Sequence, residues 1–332
     1  MRIRGHVPAL ACLLSAAAAA GASLPVAAAV PASGPVVARI AVPPDFYDLR
    51  VGLGEVWLLN DNESTYSTLR EIDPRNNKIL ASHELNSSAG GFDVGAGAIW
   101  VAMYYDNTVE RIDPSGHVVA TIKVGLQPQY VHVAFGAVWV SNHHGRSVSR
   151  IDPSSNRVVA TIPAGDQHTF RDGPQDITSD QRYIYVGASN GDLPLETIDP
   201  QTNTVVRTVS ASPDQWCNDD AAIAGLVWSA DSCTNALYHV DAATGHILES
   251  YTYTGEVLSL TILGGDVWVA FDGTYDPNSG TGSGGALQER NGSSGALLRT
   301  INVGGDADVV RAGFGDLWVV DNTNGFVERV AP

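Results

Sequence analysis

Hydrophobic positions along the chain fall in short runs punctuated by Gly, Pro, Asn and Asp, and within the runs they alternate with polar ones at the two-residue spacing of strands. The block GAIWVAMYYDNTVERIDPSGHVVATIKVG begins at Gly97 and GAVWVSNHHGRSVSRIDPSSNRVVATIPAG at Gly136, and degenerate copies run along the chain. Each block predicts four strands: a weakly apolar one, a Trp-bearing one, an alternating one such as SVSRID, and a β-branched one such as VVATI. The period is about 40 residues, the length of a propeller blade. Its aromatic marker falls at Trp57, Trp100, Trp139, Tyr185, Trp228, Trp268 and Trp318, which makes seven repeats.

Turn residues punctuate the strands at fixed offsets. Glycine stands three residues before the marker at Gly54, Gly97, Gly136, Gly225, Gly265 and Gly315, where a tight hairpin needs a positive φ; the fourth repeat has Arg182 there instead. Between the third and fourth strands lies Asp-Pro-x-x-Asn or a relative, as at Asp73, Asp152 and Asp199. Proline presets the first turn angle, the Asp carboxylate caps the turn, and Asn or Gly accepts the left-handed position.

A four-stranded sheet that is apolar on both faces must be covered on both, and stacking seven such sheets around an axis does so. The expected fold is all-β: a seven-bladed β-propeller of four-stranded antiparallel blades. The seventh repeat stops at Pro332 one strand short, while residues 36–42 read VVARIAV, nearly the VVATIKV of residues 118–124. The N-terminal strand is therefore expected to complete the last blade and close the ring, which hides two exposed edges.

Composition adds compartment and charge. Residues 1–30 read as an export signal, with basic Arg2 and Arg4, an apolar stretch from Ala9 to Ala20 and small residues at Ala27 to Ala29. Residues 31–332 then form one secreted domain, extracellular or held in the cell envelope, with no later apolar run long enough to span a membrane. Cys12 leaves with the signal, so Cys217 and Cys233 remain, and an oxidising compartment makes a disulfide between them the default. A net charge of -17 disfavours nucleic acid and anionic membranes and favours cationic guests.

The segment VWVSNHHGRSVSRIDPSSNRVVATIPAG resembles the YVTN repeat of YncE-like propellers, and the resemblance extends over the whole mature chain. More distantly the chain is similar to streptogramin (virginiamycin B) lyases, a likeness that implies metal-assisted opening of a cyclic ester by a His base. Those lyases carry an aromatic-Thr-Glu signature after the marker, whereas no Glu stands at the third residue after it here. Fold does not by itself confer that chemistry.

Propeller ligands sit at the channel mouth, where first strands begin and second strands end. If each hairpin turns about the residue three before the marker, the residue nine before it faces the residue three after it. The facing pairs are then Asp48 with Asn60, Gly91 with Met103, Tyr130 with Asn142, Asp176 with Ala188, Asp219 with Asp231, Ser259 with Phe271, and Val309 with Asp321. The same count sets Cys217 opposite Cys233. Candidate ligand-binding residues are Asp48, Tyr130, Asn142, His143, His168, Asp176, Asp219, Asp231 and Asp321, with Arg171 and Trp216 in neighbouring loops. Two facing carboxylates, Asp219 and Asp231, either repel or share a cation, which makes Mg or Ca the candidate metal; the plainer reading is an acidic, solvated rim.

His132 is expected to pack between blades through a hydrogen-bonded ring, and His83, His117, His239 and His246 to lie at the surface. The G-x-S-x-G match at Gly187 and the G-x-G-x-x-G match at Gly280 lack the helix their chemistry needs. The second belongs to a flexible Gly/Ser loop over residues 273–285. The expected function is non-catalytic binding of a small molecule or protein by a monomer at an acidic mouth. A streptogramin-type lyase, with His143 or His168 as base, is the alternative.

Overall fold

The computed structural model describes residues 35–332 apart from 44–45, 62–65, 166–172, 189–193, 211–217, 254, 273 and 277–280. Its described strands form seven four-stranded antiparallel sheets and one short ribbon, and no helix occurs among the described residues. Blade three shows the pattern: Pro128–Ala134 innermost, then Ala137–Asn142, Ser147–Asp152 and Arg157–Pro163 outermost. The innermost strands of the seven blades are Phe46–Gly52, Ala89–Gly95, Pro128–Ala134, Pro174–Ser179, Asn218–Ile223, Val257–Leu263 and Val309–Gly313. Each touches the innermost strands of both neighbours, and the last touches the first, so they enclose a central channel.

The ring closes as the sequence implies. Val36–Ala41 pairs antiparallel with Phe326–Val330 as the outer strand of blade seven. Arg39 Nε donates to Glu328 Oε1 at 2.7 Å, and Val42 N–H to Gly325 O at 2.9 Å.

Packing explains the repeated residues. The six marker tryptophans are at most 1% exposed, each in a cluster between adjacent blades. Four of them spend the indole N–H on the carbonyl five residues back, as Trp139 Nε1 does on Ala134 O at 3.1 Å, which pins the hairpin. Small residues at that carbonyl position admit the neighbouring blade: a Cβ on Gly95 would stand 2.7 Å from Val133, and one on Gly313 2.2 Å from Val51.

The Asp-Pro-x-x-Asn turns behave as the sequence predicts. Asp152 Oδ1 accepts Ser154 N–H at 2.9 Å, and Asn156 takes φ 55°. The hairpins into the marker strands differ. In six of them both central residues are left-handed, as in Phe135 (φ 53°) with Gly136 (φ 66°), so the loop has two residues and the register moves by one; blade four reaches the same register across a longer turn, with Ser179 paired to Ile184. The residue nine before the marker therefore faces the second residue after it: Asp48 pairs with Leu59, Tyr130 with Ser141, Asp219 with Ala230 and Ser259 with Ala270. Asp231 pairs with Asn218, and in five blades a bulge follows before the third residue after the marker finds its partner, as Asn142 finds Pro128. A one-residue slip exchanges the two faces of a strand, so none of the seven inferred facing pairs forms.

In blade six, residues 273–285 include a paired ribbon, Thr274–Asp276 with Thr281–Ser283, where a flexible loop was expected. His239, expected at the surface, is 2% exposed and stacked on Trp228 with ring centroids 4.1 Å apart. His132 lies between blades as expected, Nε2 2.8 Å from Ser179 Oγ.

Candidate functional site

The innermost strand is the free edge of every blade, so its channel-facing N–H groups need acceptors. Side chains of the preceding blade provide them. Asp93 Oδ2 accepts Val133 N–H at 2.7 Å, Asp176 Oδ2 accepts Asp220 N–H at 2.6 Å, Asp219 Oδ2 accepts Leu260 N–H at 3.0 Å, and Ser259 Oγ accepts Val310 N–H at 3.1 Å. Much of the acidity around the channel is thus structural: carboxylates bridge one blade to the next.

These groups join into a girdle through all seven blades. Asp219 of blade five accepts Ser259 Oγ of blade six at 2.6 Å, and both accept Arg311 Nη1 of blade seven, at 2.9 and 2.7 Å. Arg311 also stands 3.8 Å from Asp48 of blade one, which pairs with Arg50, and Arg50 lies 3.8 Å from Asp93 of blade two. His132 Nδ1 of blade three is 3.6 Å from Asp93, and its other nitrogen meets Ser179 of blade four. Asp176 then returns the chain of contacts to blade five through Asp220 N–H.

Charge is distributed unevenly around this girdle. Burial acts to raise the Asp219 carboxyl, but Arg311, Ser259 and the Leu260 N–H together hold it below the ordinary aspartate value. Asp176 is pushed well above that value, first by burial and then by Asp220 and Asp219. Its oxygens accept backbone N–H groups from Ile177 and Asp220, and among the described residues it has no ion pair. The Tyr130 phenol is also raised, by burial and by the charges of Asp176, Asp219 and Asp48; its hydroxyl has no hydrogen bond among the described residues. Burial lowers the His132 imidazole, against the pull of Asp93.

The other candidates are dispersed. Asn142 is fully buried and its amide is consumed within blade three, accepting Gly125 N–H at 3.1 Å and donating to Ser147 and Ser149 at 3.2 and 2.9 Å. Asp231 caps the following turn through Cys233 N–H at 2.9 Å and Thr234 Oγ1 at 2.6 Å, and Asp321 does the same through Asn324. Asp219 and Asp231 therefore do not face one another as a metal pair: their carboxylates serve separate partners. No group of three or more His, Cys, Asp and Glu suited to a metal occurs among the described residues. His143 is buried, its N–H on Gln127 O at 2.9 Å and its ring beside His144. His168, Arg171, Trp216 and Cys217 lie outside the described residues, as does the export segment over residues 1–30.

Arg50, Asp93, Asp220 and Arg311 were missed by sequence reasoning. Three of them stand seven residues before the marker, two beyond Asp48, Gly91 and Val309, so extending the alternation along each inner strand would have placed them on the same face.

A family model described as a repeat of unknown function (DUF6923) matches residues 158–300. No curated protein matches the chain. Among solved structures it is similar to hydrazine synthase of Kuenenia stuttgartiensis, with a TM-score of 0.67 and 12% identity over 87% of this chain and 96% of that one. It is also similar to the computationally designed Ika8 protein, with a TM-score of 0.60 and 12% identity over 87% of this chain and 97% of that one. At such identities the likeness is one of fold, and it agrees with the seven blades: the chain is a β-propeller built of repeats.

Proposed function

We propose that the protein is an exported recognition propeller of the YVTN-repeat kind, monomeric and non-catalytic, whose channel takes a small ligand bearing a positive charge. The observation that carries this reading is the contrast between Asp219 and Asp176. Asp219 is neutralised by Arg311, whereas Asp176, among the described residues, has only backbone donors and faces the channel beside a Tyr130 hydroxyl that has no hydrogen bond among them. A cationic group there would supply the missing counter-charge to Asp176 and offer its N–H donors or its charge to the phenol. The ring is closed by strand pairing, which favours a preformed site, and a preformed site loses little ordering entropy on binding. Removal of residues 1–30 and a Cys217–Cys233 disulfide belong to the same reading.

The test is a thermal melt of residues 31–332 with EDTA, with Mg²⁺, Ca²⁺, Mn²⁺ and Zn²⁺, and with a panel of primary and quaternary ammonium compounds. A ligand at a hundredfold over its Kd adds about 2.7 kcal/mol, enough for a shift of several degrees. The expected result is a shift with organic cations that Asp176→Asn abolishes and Tyr130→Phe weakens. A flat response to every cation would overturn the reading.

A further inference from the structure

At the end of the propeller away from the expected mouth, blades three and four enclose an open cleft of about 490 Å³ lined by Phe135, Arg150, Gln181, Arg182, Pro200 and Gln201. Two features converge on it. The first is Phe135, an aromatic at the leading left-handed position of its hairpin (φ 53°), a position filled by Leu53, Ala96, Ala224, Gly264 and Phe314 in blades one, two, five, six and seven. A bulky side chain is strained there, and Phe135 remains 38% exposed, so packing does not offset the strain.

The second is Arg182, which departs from the repeat by replacing the glycine of the other six hairpins. The turn has been rebuilt to allow it. Asp180 Oδ1 accepts the N–H groups of Arg182 and Tyr183 at 2.7 and 2.8 Å, and Oδ2 accepts Tyr185 Oη and Gly225 N–H at 3.0 and 2.8 Å. Four donors thus occupy that carboxylate, while the Arg182 guanidinium stacks 4.9 Å from the Tyr183 ring centroid. Arg150 reaches the same cleft, anchored through Nη1 to Pro200 O and Asn203 Oδ1; its buried Nε has no partner among the described residues, as is also true of Arg111 in blade two. Among the described residues no carboxylate lines the cleft, in a chain whose net charge is -17.

We propose that this cleft is a second binding site, for an organic carboxylate with an apolar or aromatic body. The carboxylate meets the guanidinium groups of Arg182 and Arg150, and the body lies on Phe135. The site is independent of the channel, which opens on other residues and favours the opposite charge.

Phenylacetate, with benzyl alcohol and benzylamine as controls, tests it by ligand-observed NMR titration against residues 31–332. Two variants remove the proposed contacts at exposed turn positions: Arg182→Gly, the residue of the other six hairpins, and Phe135→Asn, which suits a left-handed φ. Saturable binding of phenylacetate is expected, at least tenfold tighter than benzyl alcohol, lost tenfold or more in each variant with the melt retained, and unchanged in Tyr130→Phe. Absence of saturable binding, equal binding of the neutral or cationic control, or full affinity in Arg182→Gly would each overturn the proposal.

Discussion

The guanidinium of Arg150 stacks over Trp139 of its own blade at 5.1 Å and donates across the blade boundary to Asn203, 2.6 Å from Oδ1, in the turn of blade four. The same link joins Arg111 to Asn156 and Arg329 to Asn77. Where the next blade turns on Gly116, Gly245 or Gly295, the equivalent position holds Glu71, Thr197 or His239 instead. An arginine in one blade thus answers an asparagine in the next, and the ring is stitched where both are present.

This coupling is measurable. Arg150→Ala removes a cation–π contact and charge-assisted hydrogen bonds, and is expected to cost on the order of 2 kcal/mol. Asn203→Gly keeps the left-handed turn and removes only the acceptor, so about 1 kcal/mol or less is expected. A double-mutant cycle by denaturant unfolding should return a coupling of roughly 1 kcal/mol. Additive losses would mean that the two side chains stabilise the ring independently.

The blade count, the closing strand and the Asp-Pro-x-x-Asn turns were legible in the sequence because each is a local pattern: a period, a β-branched run, a residue with a required φ. The register of the inner hairpins was not. It depends on whether one or two residues occupy the turn, and Leu53, Ala96 and Phe135 do not advertise the positive φ they adopt. His239 was misplaced for a related reason, since its burial follows from replacing the arginine that covers Trp100 and Trp139 in blades two and three. The channel girdle depends on seven strands meeting in space, so sequence reasoning located Asp48, Asp176 and Asp219 but not Arg50 and Arg311, which pair with Asp48 and Asp219.

Closure predicts that the N-terminal strand is worth far more than its length. Val36, Ala38, Ile40 and Val42 are all under 10% exposed, and without them the edge of Phe326–Val330 lies bare. Deleting residues 35–42 should lower the Tm by on the order of 10 °C. A peptide of that sequence added in trans should recover part of the loss, and an unchanged melt would refute closure by this strand.

The proposed Cys217–Cys233 disulfide would close a loop of about 15 residues and contribute on the order of 3 kcal/mol. Intact mass of the exported chain should be two hydrogen atoms lighter than the reduced sequence beginning near residue 31, and reduction should lower the Tm by several degrees. A full thiol count by alkylation before reduction would exclude the bond.

Asp220 makes stability depend on pH in a defined direction. It stands eight residues before the marker, where the other blades place Leu49, Phe92, Val131, Ile177, Leu260 and Val310. Its Oδ1 is buried without a partner among the described residues, and a Cβ on Gly187 would come within 3.1 Å of Oδ2. Burial, reinforced by Asp219 and Asp231 against the lowering influence of Ser229, raises its carboxyl from 3.8 to about 7. The folded state therefore binds this proton more tightly than the unfolded chain does, so stability is full below the unfolded value of 3.8 and declines as pH rises from there to about 7. Asp176 is raised for the same first reason and acts in the same direction, while His132, lowered by burial, acts oppositely as pH falls through its ordinary value of 6.5. The Asp220 contribution is therefore read as a difference: Asp220→Asn should gain on the parent as pH rises from 5 to 8, by a few kcal/mol in denaturant unfolding, and match it more nearly at pH 5. Asp220→Leu, which restores the residue type of the other blades, should show the same divergence with a higher Tm at pH 8. Parallel pH profiles for parent and Asp220→Asn would show that the carboxyl ionises without cost, and that the blade interface admits enough water to solvate it.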